Sequence, residues 1–364
     1  MSVPTLPDVF RQLSCLADVR GGDESADLRS AAAVLERLAP AHLPKLLARA
    51  RAGQPLDLPA LSPAAIDRVR NVAGQGGDAV LEAARSRVPF LLRRLLEMRS
   101  VSCQQAVLLA RELGIATLSD LQAALLHGHL EPGFGNAAGQ LAGAAAALSI
   151  DTRPTLLGRA YDILTAVRES MAVHCPAFDE ITIAGDARRF EPLVRELVLV
   201  GRTVDADAAL AELAAMGGVD DVLYRAGNRA IISLLRSEID IRCATPGDRG
   251  TVLFMSTGSQ EHVGEIARKA PRPGPCASEA DVYARVGLPW IPPEVRNGSG
   301  EIEAAGRSLL PRLVERADIR GDLHMHSTFS DGQDTLEAMI TSAALLGYEY
   351  VAITDHSTSA AASR

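Results

Sequence analysis

Lysine is almost missing from this chain. Only Lys45 and Lys269 occur among 37 basic residues, so nearly all positive charge is arginine. Arginine suits bidentate phosphate contacts, although codon bias produces the same preference. No apolar run reaches the about 18 residues a membrane helix needs, which argues against a membrane-spanning protein. The start, MSVPTLPDVFRQLSCLADVR, lacks a basic stretch followed by an apolar core, so it does not read as a signal peptide. Cys15, Cys103, Cys175, Cys243 and Cys276 form no CxxC pair. They read as reduced thiols of a cytoplasmic protein. No repeat of solenoid period stands out.

What is present is ordinary globular composition, 47% hydrophobic and 23% charged over 364 residues. That length suggests roughly two to four domains. The net charge of −8 is unevenly spread. Residues 1–150 carry 15 positive and 14 negative charges, net +1, and residues 51–100 carry 8 and 5, net +3. Residues 301–364 carry 5 and 10, net −5. The acidity therefore belongs to the C-terminal part and does not exclude a nucleic-acid partner.

The first 150 residues read as helical. Ala33–Arg51 is broken near Pro40 and Pro44, Gln104–Leu113 stops at Gly114, and Thr117–Asp120 is a helix start. A 3.6-residue stripe runs from Thr155 to Met171. From Ile181 the pattern becomes mixed. Ile181–Ala184, Val194–Val200, Val219–Tyr224 and Ile239–Arg242 read as strands and Asp205–Met216 as a helix. Pro-rich Ala270–Ser278 is a connector. From Asp322 the order strand, loop, helix, strand opens a βαβ unit.

That last unit carries the strongest chemical signal. Strand alternation points His324 and His326 of DLHMHS to one face. Asp331 follows in the loop, and His356 ends the next strand, at the edge where parallel strands converge. Two imidazoles, a carboxylate and a third imidazole suit a divalent metal. His127-Gly-His129 is also HxH but has no such context, and His42, His174 and His262 are isolated; all read as structural or surface residues.

DLHMHSTFSDG and YVAITDHS resemble the start of the polymerase and histidinol phosphatase (PHP) phosphoesterase family, over residues 321–364. The resemblance implies that His324, His326, Asp331 and His356 are metal ligands, for Zn or Mn, in a barrel of alternating strands and helices. The chain stops at Arg364, before that family's later ligands, so a truncated domain with an incomplete site is expected. Preceding segments resemble the bacterial family X DNA polymerases that carry a PHP domain. These are DVYARVGLPWIPPE at 281–294, Gly300–Glu303, Thr257-Gly258-Ser259 and Ile183-Ala-Gly185-Asp186-Ala-Arg188-Arg189.

This second resemblance implies a multidomain α plus α/β architecture. It would hold an N-terminal helical domain (1–85), a helix-hairpin-helix region (86–150), a nucleotidyltransferase-like palm with a mixed sheet (151–245), a thumb (246–305), a linker (306–320) and the PHP start (321–364). It implies DNA-templated nucleotidyl transfer in gap repair, with Mg or Mn at the palm and Gly185, Arg188, Gly258 and Ser259 at the nucleotide. Two-metal phosphoryl transfer needs carboxylates bridging both ions. The implied positions are Glu196, Val198 and Asp240. Valine cannot ligate, and Asp186 sets a negative charge where a triphosphate should lie. At most one ion is expected there, and dNTP use is doubtful.

The hairpins are expected to touch DNA phosphates through amides at a glycine turn. Leu58-Pro59-Ala60-Leu61-Ser62 and Arg99–Cys103 have no glycine; Pro132-Gly133-Phe134-Gly135 keeps it. Weak, sequence-independent contact with gapped or nicked DNA follows for a cytoplasmic monomer, with a decayed polymerase site. A Schiff-base lyase activity would have to rest on Lys45. The alternative is a PHP-type phosphoesterase or 3′–5′ exonuclease with a DNA-docking N-terminal region. A non-catalytic scaffold is the third reading.

Overall fold

Side-chain caps set the helical N-terminal region. Thr5 opens α1 (Leu6–Arg20) with a reciprocal capping box to Asp8, and α2 (Ser25–Arg37) packs against α1. α3 (Leu43–Arg51) follows the break near Pro40 and Pro44. Ser62 caps α4 (Pro63–Gln75), and α5 (Gly77–Arg85) and α6 (Phe90–Glu97) complete the bundle. Ser102 caps α7 (Cys103–Val107), which continues as a π-helical turn, Leu108–Glu112, ending at Gly114 with φ +65°. Thr117 and Asp120 form the expected capping box on α8 (Leu118–Leu126), and α9 spans Ala137–Asp151. The computed structural model describes residues 5–39, 41–130, 134, 137–151, 153–269 and 274–357. Among these, no helix is long and apolar enough to cross a membrane.

Two strands, β1 (Thr155–Leu156) and β3 (Leu193–Val194), pair as a small ribbon flanking α10 (Leu157–His174). The main sheet has the order β2-β4-β7-β6-β5. Its strands are β2 (Glu180–Ile183), β4 (Leu197–Arg202), β5 (Val219–Ala226), β6 (Arg229–Leu234) and β7 (Ser237–Ala244). β4 and β7 run parallel while the other neighbours are antiparallel. One face packs Leu197, Leu199, Ile232, Ile239 and Ile241 against α10 and α12 (Ala206–Ala215). On the other, Val198 and Val200 meet Leu253 of α13 (Arg249–Thr257), and Tyr224 and Ile231 join the helical core. A sheet covered on both faces reads as continuous apolar runs, which is why β4 is so rich in valine and leucine.

Three expectations need correction. Val194–Val200 is not one strand: the chain leaves β3 at Val194 and enters β4 at Leu197, so Glu196 sits in the break between them. β6 was absent from the reading because its hairpin to β7 turns through Leu235 and Arg236 at φ +53° and +60°, without the glycine or asparagine that marks such turns. Cys15 and Cys103 are not free thiols. The packing of α1 on α7 brings their Cα atoms to 5.7 Å, and the two form a disulfide. Cys175, Cys243 and Cys276 are free and buried.

The chain divides into two compact units, 1–308 and 309–364. In the second, β8 (Gly321–Met325) and β9 (Tyr350–Ile353) pair in parallel across α17 (Leu336–Leu345), capped by Thr335. This is the expected βαβ unit. In the first unit, α11 (Gly185–Arg188) follows β2, and α14 (Gln260–Lys269), α15 (Glu279–Ala284) and α16 (Glu301–Gly306) follow α13 along the chain.

Candidate functional site

In the C-terminal unit the ends of β8 and β9 bring three of the four proposed ligands, His326, Asp331 and His356, together, with His324 against the His326 ring. His324 Nε2 lies 3.2 Å from His326 Nε2. His326 Nδ1 lies 2.7 Å from Asp331 Oδ1, and His356 Nε2 lies 3.6 Å from Asp331 Oδ2. One ligand atom each from His326, Asp331 and His356 falls within a 4.8 Å spread. The His326 hydrogen bond holds the Asp331 carboxyl below its ordinary range, so it is an anion at neutral pH. With Nδ1 of His326 at that carboxylate, its Nε2 lies beside the His324 ring. The donor set of imidazoles and one carboxylate fits a divalent transition metal.

Sequence reasoning missed what shapes the loop. Asp355 accepts from the Ser327 amide at 2.7 Å and from the Ser327 and Ser330 hydroxyls at 2.6 Å each. It clamps the loop that presents Asp331. Gly332 is obligatory: a Cβ there would stand 1.9 Å from the His326 carbonyl oxygen. Its place right after Asp331 in SDG was the only local signal.

The first unit holds a cleft of about 650 Å³ between α8, α13 and the start of β4. Gly185, Asp186, Glu196, Val198, Gly258 and Ser259 all line it, so these proposed positions converge. Their partners differ from expectation. Asp186 is not a bare charge: Arg189 pairs with it at 2.5 Å and the Arg195 amide donates to it at 3.0 Å. Arg188 is turned to Glu279, at 2.7 and 2.9 Å, and to the Thr257 hydroxyl at 2.9 Å. Glu279 also pairs with the fully buried Arg296. Arg188 is thus a strut between α11 and α15, not a guanidinium open to a ligand. His262 is buried between Glu301 and the Tyr283 hydroxyl, the structural role expected for it.

The sheet carboxylates behave likewise. Val198 is the register partner of Asp240 across β4 and β7. Asp240 is 3% exposed and accepts 2.8 Å hydrogen bonds from Arg229 at both oxygens, with Arg242 a further 2.9 Å donor. Burial pushes its carboxyl up, but the two guanidiniums outweigh that and hold it below the ordinary range. Asp120 of α8 joins through Arg229 at 2.9 Å. Glu196 accepts from the Ser119 amide at 2.9 Å, capping α8. Burial, then the neighbouring Asp120 and Asp240 carboxylates, push it up to about 7 against that amide. Both Asp240 oxygens are thus occupied by guanidiniums, while the Glu196 hydrogen bond is to a backbone amide.

At the two glycine-free turns, side chains take the amides a phosphate would use. Ser62 accepts from the Ala65 amide at 3.1 Å and Ser102 from the Gln105 amide at 3.2 Å. Gly133 and Gly135 lie outside the described residues.

A parallel βαβ unit with histidines and an aspartate clustered at its strand ends defines a metal-site module of PHP type. Residues 322–363 match the family described as PHP domain. The chain is 27% identical over 314 residues to the DNA polymerase/3'-5' exonuclease PolX of Bacillus subtilis (strain 168), covering 79% of this chain and 54% of that protein. It thus spans about half the length of the curated relative it matches. Leishmania infantum polymerase beta, solved as a ternary P/T complex, aligns with a TM-score of 0.37 and 14% identity, over 57% of this chain and 98% of that one. The chain is a homologue of the family X DNA polymerases that carry a PHP domain.

Proposed function

We propose that this chain is a DNA-binding family X homologue whose polymerase centre no longer takes two metals. The domain reading is kept with it: helical regions at 1–85 and 86–150, a palm-like sheet at 151–245, a thumb-like region at 246–305 and the PHP start from 321. The observation that carries the proposal is Asp240, with both oxygens bonded to Arg229 and Arg242 and with Val198 beside it. In-line phosphoryl transfer needs bridging carboxylates, and here that position holds guanidiniums. The capped amides at Ser62 and Ser102 favour weak, sequence-independent contact with gapped or nicked DNA. Primer extension on one-nucleotide-gapped DNA with Mn²⁺ tests the reading: no incorporation is expected, and robust incorporation overturns it. DNA binding itself must weaken as salt rises, since phosphate contacts release counterions.

A second reading, a PHP-type phosphoesterase or 3′–5′ exonuclease, is favoured by the His326, Asp331 and His356 cluster. His324, His326, Asp331 and His356 would hold Zn or Mn, and the metal would supply an activated water. The chain's own part is to fix the imidazoles, through Asp331, and the loop, through Asp355. Metal analysis together with release of a 3′-terminal nucleotide from labelled DNA tests this reading.

A further inference from the structure

The Cys15–Cys103 bridge joins two parts of the helical region 88 residues apart, and nothing in the proposed function uses it. Its ends are unlike. Cys15 lies on the inward face of α1, 8% exposed. Cys103 is exposed, at the first position of α7. The other cysteines, Cys175, Cys243 and Cys276, are buried. Burial pushes the Cys175 thiol up to about 11 and the Cys243 thiol up to about 12, so neither supplies thiolate at neutral pH. Cysteine chemistry with solvent is therefore confined to one bridge, approached from one side.

We infer that Cys103 is a thiol–disulfide exchange site for a dithiol reductant, and that its bond to Cys15 is a reversible staple on the helical region. One thiolate of the dithiol attacks Cys103 Sγ. The S–S bond breaks and Cys15 leaves as a thiolate, which takes a proton and stays as a buried thiol. The second thiol of the reductant then displaces Cys103, leaving the reductant as an intramolecular disulfide. Two electrons and two protons pass to the protein, and a disulfide of the same class reverses the step. The staple bears on a strained piece of chain. Arg99 turns at φ +55° just before α7, and the π-helical turn Leu108–Glu112 follows it. Once the bond opens, this segment is held in the helical core by apolar packing of Val101, Ala106, Leu109 and Ala110.

The test uses the full chain prepared without reductant. Three thiols should titrate in denaturant and none in the native state. On adding dithiothreitol, native alkylation followed by peptide mass mapping should label Cys103 first, with Cys15 lagging by on the order of tenfold. Amide exchange over residues 99–112 should speed up and the melting temperature fall by several degrees. C15S should be alkylated at Cys103 with no reductant present. C103S should melt at a temperature that dithiothreitol does not move. Five thiols in the unreduced, denatured chain would overturn the inference. So would labelling of Cys175, Cys243 or Cys276 before Cys103, or a C103S melting temperature that responds to dithiothreitol as the wild type does.

Discussion

Replacing Arg229 by methionine isolates the central network. The substitution keeps an apolar stem and removes the guanidinium that bonds both oxygens of Asp240 and reaches Asp120. Asp240, 3% exposed, is left with Arg242 alone, and Asp120 keeps the Ala116 and Thr117 amides and a 3.8 Å contact to Arg242. Removing one partner of a buried ion pair costs about 3–5 kcal/mol because the other charge stays in place. The surviving Arg242 sets the expectation near the lower figure, about 3 kcal/mol. With a urea slope of about 3 kcal/mol/M, that moves the midpoint of unit 1 down by about 1 M. The effect must depend on pH in one direction. Asp240 has a depressed native pKa, so its contribution is present above the unfolded value near 4 and is lost as pH falls through the native one. R229M raises that native pKa, so the two proteins should differ most at pH 7 and converge only as pH falls through the depressed wild-type value. R229M combined with Asp240→Leu removes both charges and should recover much of the loss. A midpoint shift below about 0.3 M for R229M at pH 7 would refute the claim that the network holds the sheet to α8.

Glu196→Gln keeps an oxygen for the Ser119 amide and removes the titration. A carboxyl raised to about 7 weakens the fold as pH climbs from the unfolded value near 4.5 through 7, so the variant should be more stable than wild type at pH 8, by up to about 3 kcal/mol, and equal at pH 4.5 in thermal melts. His326→Ala removes the imidazole shared by His324, Asp331 and His356, and equilibrium dialysis with Zn²⁺ or Mn²⁺ should read at least a tenfold loss of affinity, with unit 1 unchanged in circular dichroism. Gly332→Ala should have a similar effect, since its methyl cannot fit beside the His326 carbonyl.

The metal-type cluster was legible because its parts lie in one local unit: a strand, a loop and the next parallel strand, with alternation fixing which side chains meet. The helix start at Thr117 was equally local. What escaped depends on distance in sequence. Arg229 meets Asp240 only because β6 pairs with β7, and β6 was hidden by a turn built from leucine and arginine. Arg188 meets Glu279 across 91 residues, and Cys15 meets Cys103 across 88. Glu196 was placed on a strand because the run from Val194 to Val200 is apolar on both sides of it; the polar pair Arg195-Glu196 was the break. The pairing of Asp186 with Arg189 was not legible either, since three residues of spacing mean contact only once α11 forms.

The arginines around Asp240 also change how this part of the molecule answers to its surroundings. A bound ion stabilises a fold by mass action, so its contribution rises and falls with the free ion concentration and vanishes under a chelator. Arg229 and Arg242 are covalently part of the chain and cannot be diluted away. Unit 1 should therefore unfold at the same temperature in EDTA as in millimolar Mg²⁺.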